Sequence, residues 1–169
     1  MAKKRFDLLV FCIICVIGFQ ACASTESSVK GTMTTINTLG GDSFEAIVLI
    51  KNTWEEVKIA KDDNGSHIMY VNIMTNGNNR PGSVIIYTDG NRHNISNPTD
   101  WDIDNVSVSQ YGTAKYWSCY KQLDISVIQA ILNVSNARIR AVGGNAYMSK
   151  DEGVDITKIL PALKEFISK

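Results

Sequence analysis

The chain has few histidines, no surplus of charge of either sign and no long hydrophobic run. Its 169 residues include 17 basic and 17 acidic side chains, two histidines and four cysteines. Because the basic residues form no run or patch, a nucleic acid is a poor candidate for a partner. The histidines, His67 and His93, have no Ser or Asp spacing around them that indicates a catalytic triad.

The longest apolar stretch is short and lies near the N-terminus. Residues 8–19 would span about 18 Å as a helix, well below the roughly 30 Å of a hydrocarbon core. Three basic residues at positions 3–5 precede the stretch, and small residues around Ala21 follow it. A cationic end, an apolar core and small residues, in this order, are typical of an export signal rather than of a transmembrane helix.

The end of this segment resembles the lipobox of bacterial prolipoproteins. In that motif an aliphatic residue, a free position and a small residue precede an obligatory cysteine, and the positions are held here by Phe19, Gln20, Ala21 and Cys22. Phe19 and Gln20 depart from the usual residues, so this is a relaxed version of the motif. The resemblance implies cleavage before Cys22, a diacylglycerol on its sulfur and acylation of the new N-terminus. Several acyl chains anchor a protein stably, whereas one chain does so only marginally.

The sequence therefore predicts a signal peptide at 1–21, a flexible polar tether at 22–31 and a single folded domain at 32–169. The alternative is a plain export signal cleaved after Ala23, because Ala21 and Ala23 also form an A-x-A site. That alternative predicts a soluble secreted protein. Removal of the signal peptide leaves 14 basic and 16 acidic residues, a net charge of −2.

Most of the cysteines belong to the export segment. Cys12 and Cys15 form a C-x-x-C pair, but inside an apolar signal they are removed with it and form neither a redox pair nor a metal site. Cys22 is the predicted lipidation site, which leaves Cys119 as the single thiol without a disulfide partner. We expect Cys119 to be a small buried apolar side chain rather than a nucleophile.

Short runs with a period of two, separated by turn signals, occupy the middle of the chain. About six of them precede residue 121, at 44–50, 53–59, 67–75, 83–95 with a hairpin turn at Asp89-Gly90, 106–109 and 113–120. Asp-Gly suits the positive φ angles of a type I′ turn. The short connections between the runs predict antiparallel pairing.

The last third of the chain changes to a helical period. A helical stripe follows Asp124, a strand pattern occupies 137–142, and a closing helix at 156–167 follows Asp155, with a kink or a late start at Pro161. We therefore expect an α+β fold. It would contain an antiparallel sheet of about six or seven strands, with a helix–strand–helix C-terminal third packed on it.

Three carboxylates at Asp100, Asp102 and Asp104 form the densest polar group. Their spacing resembles the beginning of a calcium loop, but Asn105 and Tyr111 stand where an EF-hand needs Gly and Glu. The sequence therefore predicts a solvated loop here, no metal site and no cofactor. Whether His93 joins these carboxylates in a site stays open.

An aromatic cluster is the clearest indication of a binding surface. Tyr and Trp are favoured where a surface is both apolar and hydrogen-bonding. Alternation separates Tyr116 and Tyr120 from Trp117 and Cys119, so one set should lie in the core and the other outside. The predicted ligand or partner face consists of Trp101, Tyr111, Tyr116 and Tyr120.

These patterns predict a bacterial envelope lipoprotein of binding or accessory type, anchored by lipid on Cys22 at the periplasmic or outer face of a membrane. Its partner would be another envelope protein or a small ligand, and the chain would not be an enzyme. The alternatives are a secreted soluble protein and an envelope hydrolase that uses His93 with the carboxylates of residues 100–104.

Overall fold

In the residues that the computed structural model describes, 28–37, 42–76, 79–109, 112–142 and 151–169, the chain is mostly β, with two antiparallel sheets and two α-helices. The strands are β1 (Ser28–Asn37), β2 (Ser43–Lys51), β3 (Glu55–Lys61), β4 (His67–Asn76), β5 (Val84–Thr88), β6 (Asn91–Asn94), β7 (Asp102–Ser109), β8 (Gly112–Gln122), β9 (Ala137–Ala141) and β10 (Val154–Asp155). The helices are α1 (Ile125–Asn133) and α2 (Leu160–Ser168), and short 3₁₀ turns lie at Pro98–Asp100 and Thr157–Ile159.

The large sheet has the strand order β1-β2-β3-β4-β8-β7, with antiparallel neighbours throughout. The first four strands form a meander, which short turns between consecutive strands favour. The chain then leaves this sheet after β4 and returns to it in β7 and β8. As a result β4 and β8, which lie far apart in sequence, are neighbours inside this sheet.

The small sheet has the strand order β10-β9-β5-β6 and is also antiparallel. Its β5–β6 hairpin turns at Asp89 and Gly90, whose φ angles of 45° and 86° are both positive, as a type I′ turn requires. The predicted hairpin is therefore confirmed. The Asp89 carboxylate also accepts hydrogen bonds from the backbone N–H groups of Asn136 and Ser135, at 2.9 and 3.3 Å. These bonds tie the hairpin to the loop between α1 and β9.

One hydrophobic core joins both sheets and both helices. The large sheet contributes one face of its central strands, and the small sheet contributes the side chains of Val84, Ile86, Ile139 and Ala141. Each helix presents its apolar stripe to the same core, through Val127, Ile128, Ile131, Leu160, Leu163 and Phe166. The other face of the large sheet is therefore not part of this core.

The predicted strands from residue 44 to residue 120 are present, but the expectation of a single sheet is wrong. The hairpin β5–β6 and the C-terminal strand β9 form the second sheet instead. Strand periodicity shows that a segment is extended, but it does not show which partner the strand selects. The 3₁₀ turn at Thr157–Ile159 delays α2 until Leu160, so Pro161 falls in its first turn, where proline is tolerated.

The predicted tether at 22–31 extends too far, because β1 begins at Ser28 and pairs with β2 from there on. The alternation in β1 is too polar for a period-two pattern to reveal a half-buried strand. The predicted signal peptide, Cys22, the rest of the tether and Tyr111 lie outside the described residues. Within the described ranges, no helix has the length and apolar character that a membrane crossing requires.

Candidate functional site

The central strands of the large sheet present aromatic and polar side chains on the face that points away from the core. On β8, Trp117 and Cys119 are buried in the core, as the alternation predicts, while Tyr116 and Tyr120 point to the opposite face. On β4, Tyr70 lies directly opposite Tyr120 in the antiparallel register. We name this surface the tyrosine face, and its members are Tyr70, Asn72, Asp104, Tyr116, Ser118 and Tyr120.

Two of the tyrosine rings form a continuous platform. The ring centroids of Tyr70 and Tyr120 are 4.8 Å apart, and the ring planes are inclined at 44°. Tyr120 is 53% exposed, whereas Tyr70 is half-buried. The Lys58 ammonium lies 5.6 Å from the centre of the Tyr70 ring, within the range of a cation–π interaction. The platform thus has a fixed, half-buried ring and an accessible one.

A β-bulge places a carboxylate beside the tyrosines. The register between β7 and β8 shifts between Ile103 and Asn105, and the intervening Asp104 points to the tyrosine face. Asp104 Oδ1 accepts a 2.6 Å hydrogen bond from Ser118 Oγ, and Oδ2 accepts a 3.2 Å bond from Asn72 Nδ2. The bonds connect three neighbouring strands and hold the carboxylate in one orientation.

Ion pairs continue the face towards β3. The Glu56 carboxylate forms salt bridges with the ammonium groups of Lys51 and Lys58, each with an N–O distance of 2.9 Å. Burial opposes ionisation of Glu56, but the hydrogen bonds and charges of the two lysines outweigh it and lower the pKa of this carboxyl. The face is therefore cationic on the side of β3 and anionic on the side of β7, with the tyrosines between.

The hydroxyls of Tyr70 and Tyr120 remain neutral far above physiological pH. Burial, followed by the neighbouring Tyr120 and Asp104, raises the pKa of Tyr70 to about 12. Burial and the Asp104 carboxylate also raise the pKa of Tyr120. Neutral hydroxyls both donate and accept hydrogen bonds, so the face offers stacking surface, hydrogen-bond donors and a fixed carboxylate to a ligand.

Trp101 was predicted to belong to the exposed aromatic face, and this prediction is wrong. Its side chain is only 1% exposed, and its indole N–H donates a 2.6 Å hydrogen bond to the Gly82 carbonyl oxygen. The 3₁₀ turn at Pro98–Asp100 precedes it, and Arg80 donates a 2.6 Å bond to the Trp101 carbonyl oxygen. The large apolar ring is thus a core anchor rather than a ligand contact.

His93 and the three carboxylates have different surroundings. His93 Nε2 is hydrogen-bonded to Thr88 Oγ1 at 2.7 Å within the small sheet. Asp100 accepts a 2.7 Å bond from the Asn97 backbone N–H and pairs with Lys121 at 2.9 Å. The backbone bond, together with the lysine, lowers the pKa of Asp100. In the part of the chain that the structure describes, His93 makes no hydrogen bond to Asp100, Asp102 or Asp104.

Cys119 is a free, buried thiol, and burial raises its pKa. This fits the prediction of a small buried side chain in the core. Among the described residues, no group of three His, Cys, Asp or Glu side chains could hold a metal ion.

A cleft of about 480 Å³ lies on the small sheet, away from the tyrosine face. Its lining mixes one cation with several carboxylates and consists of Tyr87, Asp89, Gly90, Asn136, Ala137, Arg138, Asp151 and Glu152. The Asp89 carboxylate is already used by the backbone of Asn136, and Arg140 pairs with Asp151 at 3.0 Å. The cleft thus has fewer uncommitted polar groups than its composition suggests.

Sequence reasoning missed Tyr70 and Asn72 as members of the tyrosine face, and it missed Lys58, whose ammonium lies beside the Tyr70 ring. Side chains alternate between the two faces along β4. Met69, Val71 and Ile73 point into the core, so Tyr70 and Asn72 point to the opposite face of the sheet. This signal was available in the sequence. The proximity to Tyr116 and Tyr120 was not, because it depends on the pairing of β4 with the distant β8.

Replacement of Asp104 by Ala is expected to destabilise the fold by about 1–3 kcal/mol, because the Ser118 hydroxyl, which is 2% exposed, loses its acceptor. Asp102→Ala is the matched control: Asp102 is an exposed aspartate on the same strand, and its removal should change stability by about 0.5 kcal/mol or less. Urea unfolding of the two variants measures the difference. Equal destabilisation by both would contradict the role given to Asp104.

Comparison with known proteins adds no relative to these observations. The chain matches no protein-family model, no curated protein and no solved structure. The function therefore has to be inferred from the chemistry of the N-terminal segment and of the tyrosine face.

Proposed function

We propose that this protein is a bacterial envelope lipoprotein of binding or accessory type. In this proposal residues 1–21 direct export and are removed, and lipid on Cys22 anchors the chain to a membrane at the periplasmic or outer face. The tyrosine face then binds another envelope protein or a small ligand. The proposal includes no catalytic step.

The order of residues in the N-terminal segment supports the anchor. Basic side chains, a 12-residue apolar run and small residues before Cys22 follow the layout of an exported lipoprotein precursor. The anchor would keep the folded part close to a membrane surface, where partners are concentrated. A tethered binding module gains from the high effective concentration that such confinement produces.

The tyrosine face is the single observation that carries the binding part of the proposal. The rings of half-buried Tyr70 and exposed Tyr120 are in contact, tilted at 44° to each other, beside an oriented carboxylate, Asp104, on a face outside the core. Tyrosines contribute large contact areas at a low cost in conformational entropy, and for that reason they are enriched in binding surfaces. A surface that served solubility alone would not require this combination.

In this proposal the C-terminal third acts as the scaffold of the face. The finer expectation, a helix–strand–helix unit packed on the sheet, would assign α1, β9 and α2 to the side of the large sheet that faces the core. Lys164 of α2 donates a 2.6 Å hydrogen bond to the Val134 carbonyl oxygen after α1, which supports a rigid unit. The binding face would then be free on the opposite side.

Cys22→Ser is expected to abolish lipid attachment in the native host. The wild-type chain should incorporate a clickable palmitate, partition into the detergent phase and have a mature mass that begins at Cys22 with acyl groups. The variant should lose the label and move to the aqueous phase, because in the proposed motif only the cysteine at position 22 carries the diacylglycerol.

Cys15→Ser is the matched control, since Cys15 lies in the apolar run that is removed, and it should leave labelling and partitioning unchanged. A mature wild-type chain that begins at Ser24 without lipid would contradict the anchor. It would instead support a freely secreted protein.

A photo-crosslinking amino acid at position 120 tests the binding face in intact cells. We expect a discrete crosslinked product at Tyr120 and also at Tyr116, because both side chains belong to the tyrosine face. The same substitution at Ile125, which is 71% exposed on α1, provides a control surface outside the face. Additional Asp104→Ala or Tyr70→Ala substitution should reduce the yield of the product at position 120.

Crosslinking that is equally strong at positions 120 and 125, or that does not respond to these substitutions, would contradict a specific binding face. The amount of folded protein in each sample, measured by protease resistance, separates loss of binding from loss of the fold.

A further inference from the structure

Among the strands that the structure describes, β7 is an edge of the large sheet, and it exposes aliphatic side chains. Ile103 and Val106 are each 47% exposed, and Val108 is 76% exposed. Their partners in the register are Trp117, Lys115 and Thr113, so all three lie on the side of the sheet that elsewhere forms the core. The layer that covers the centre of the sheet therefore does not cover this edge.

Exposed edge strands are normally protected against pairing with other chains. Lysine, proline, bulges or a covering element usually provide this protection. The opposite edge, β1, has three of these features: a bulge between Val29 and Thr32, the charged Lys30, and the contact of Gly31 with the Ile159 side chain. The residues 105–109 of β7 contain neither a charge nor a proline.

The pattern of this segment is complementary to itself. The bulge at Asp104 ends the regular ladder on one side, so the regular stretch is 105–109, with Ser107 at its centre. In an antiparallel pair of two such stretches centred on Ser107, Val106 of each copy lies opposite Val108 of the other copy. Centring on Val106 would instead place the bulged Asp104 opposite Val108, on the wrong face. The five-residue match thus favours one register.

We propose that β7 pairs with β7 of a second copy of this chain, antiparallel and centred on Ser107, to form a dimer with two-fold symmetry. Each strand supplies the backbone N–H and C=O groups that its partner needs, and the four valines form one apolar patch on the core side. Such an isologous contact closes on itself, so it forms a dimer and does not propagate into a fibre.

Charge is compatible with this register. Asp102 and Asp104 lie outside the paired stretch, and the two copies of Asp104 are about 20 Å apart along the strands, well beyond the Debye length of roughly 8 Å. Lys115 of β8 lies opposite Val106 of β7, on the side of β7 away from the second copy. Valines of both copies therefore lie between the two Lys115 side chains. No like charges face each other directly across the contact.

The dimer would join the two large sheets into one continuous sheet. Because the two-fold axis is perpendicular to that sheet, both tyrosine faces would lie on the same side, with the two β7 strands between them. This inference depends on the edge strand alone and not on the proposed binding function, so the two can fail separately.

Ser107→Cys in the full chain tests the register. Across an antiparallel pair the two Cα atoms at position 107 would be about 4.5–5.5 Å apart, which permits a disulfide. Copper–phenanthroline oxidation should therefore yield a covalent dimer on non-reducing gels. Asn105→Cys is the control, because its counterpart would lie about 14 Å away. The unsubstituted chain reports the background from its own four cysteines.

Val108→Lys should lower the association constant by about tenfold or more, since two-fold symmetry removes both valine pairs and brings two ammonium groups together. Ile125→Lys, at an equally exposed aliphatic position on α1, should leave association unchanged. Sedimentation of the full chain in detergent measures the association constants of the two variants, and circular dichroism verifies that each is folded.

Three results would overturn the proposal. The first is a monomer at every concentration with no crosslink at position 107, and the second is equal crosslinking at positions 105 and 107. The third is a crosslink from position 107 to a different protein, which would assign the edge to a strand of another chain.

Discussion

The antiparallel register between β4 and β8 divides the side chains of this molecule between its core and its candidate binding face. Val71 opposite Cys119 and Ile73 opposite Trp117 face the core, whereas Tyr70 opposite Tyr120 faces outward. A shift of one residue would exchange the two sets, because side chains alternate strictly along a strand. Each large apolar side chain moved into water would cost about 1.5–3 kcal/mol, so the register is strongly specified.

Hydrogen bonds at the two buried indoles, Trp101 and Trp117, reinforce this division. The Trp117 N–H donates to Thr75 Oγ1 at 2.9 Å, and the Trp101 N–H donates to the Gly82 carbonyl oxygen at 2.6 Å. A buried indole is tolerated when its single donor is satisfied, and both are. The tyrosines, whose hydroxyls can remain hydrated, occupy the other face. The difference between a buried aromatic ring of the core and an aromatic ring on the outer face therefore depends on hydrogen-bond partners supplied by neighbouring segments.

Local patterns in the sequence were sufficient for most elements but not for their arrangement. Period two identified β2 to β5, β8 and β9, and the Asp89-Gly90 turn followed from the φ angles that Gly90 permits. The separation of Tyr116 and Tyr120 from Trp117 also follows from alternation alone. The division into two sheets did not follow, because partner choice by β5 and β9 depends on contacts between distant segments.

The candidate site shows the same limit. Asp104 joins the tyrosines through a bulge, and Tyr70 lies opposite Tyr120 because β4 pairs with β8, a strand that begins 36 residues after β4 ends. Neither feature leaves a signal in a local window of sequence. Trp101 was misplaced for a related reason: its aromatic neighbours in the sequence suggested a surface cluster, whereas the 3₁₀ turn before it directs the ring inward.

The measurement that tests this account most directly is the ionisation of the tyrosines followed by ultraviolet absorbance, in the wild type and in Tyr70→Phe. Burial, followed by the neighbouring Tyr120 and Asp104, raises the pKa of Tyr70 to about 12, so the wild type should show a late ionisation step near that pH that the variant lacks. Because the folded state holds this proton more tightly than the unfolded state, stability should fall as pH rises from about 10 to about 12, and less so in Tyr70→Phe. Ionisation of all tyrosines together near pH 10, identical in the two proteins, would contradict the burial of Tyr70 beside Tyr120, on which the proposed binding face depends.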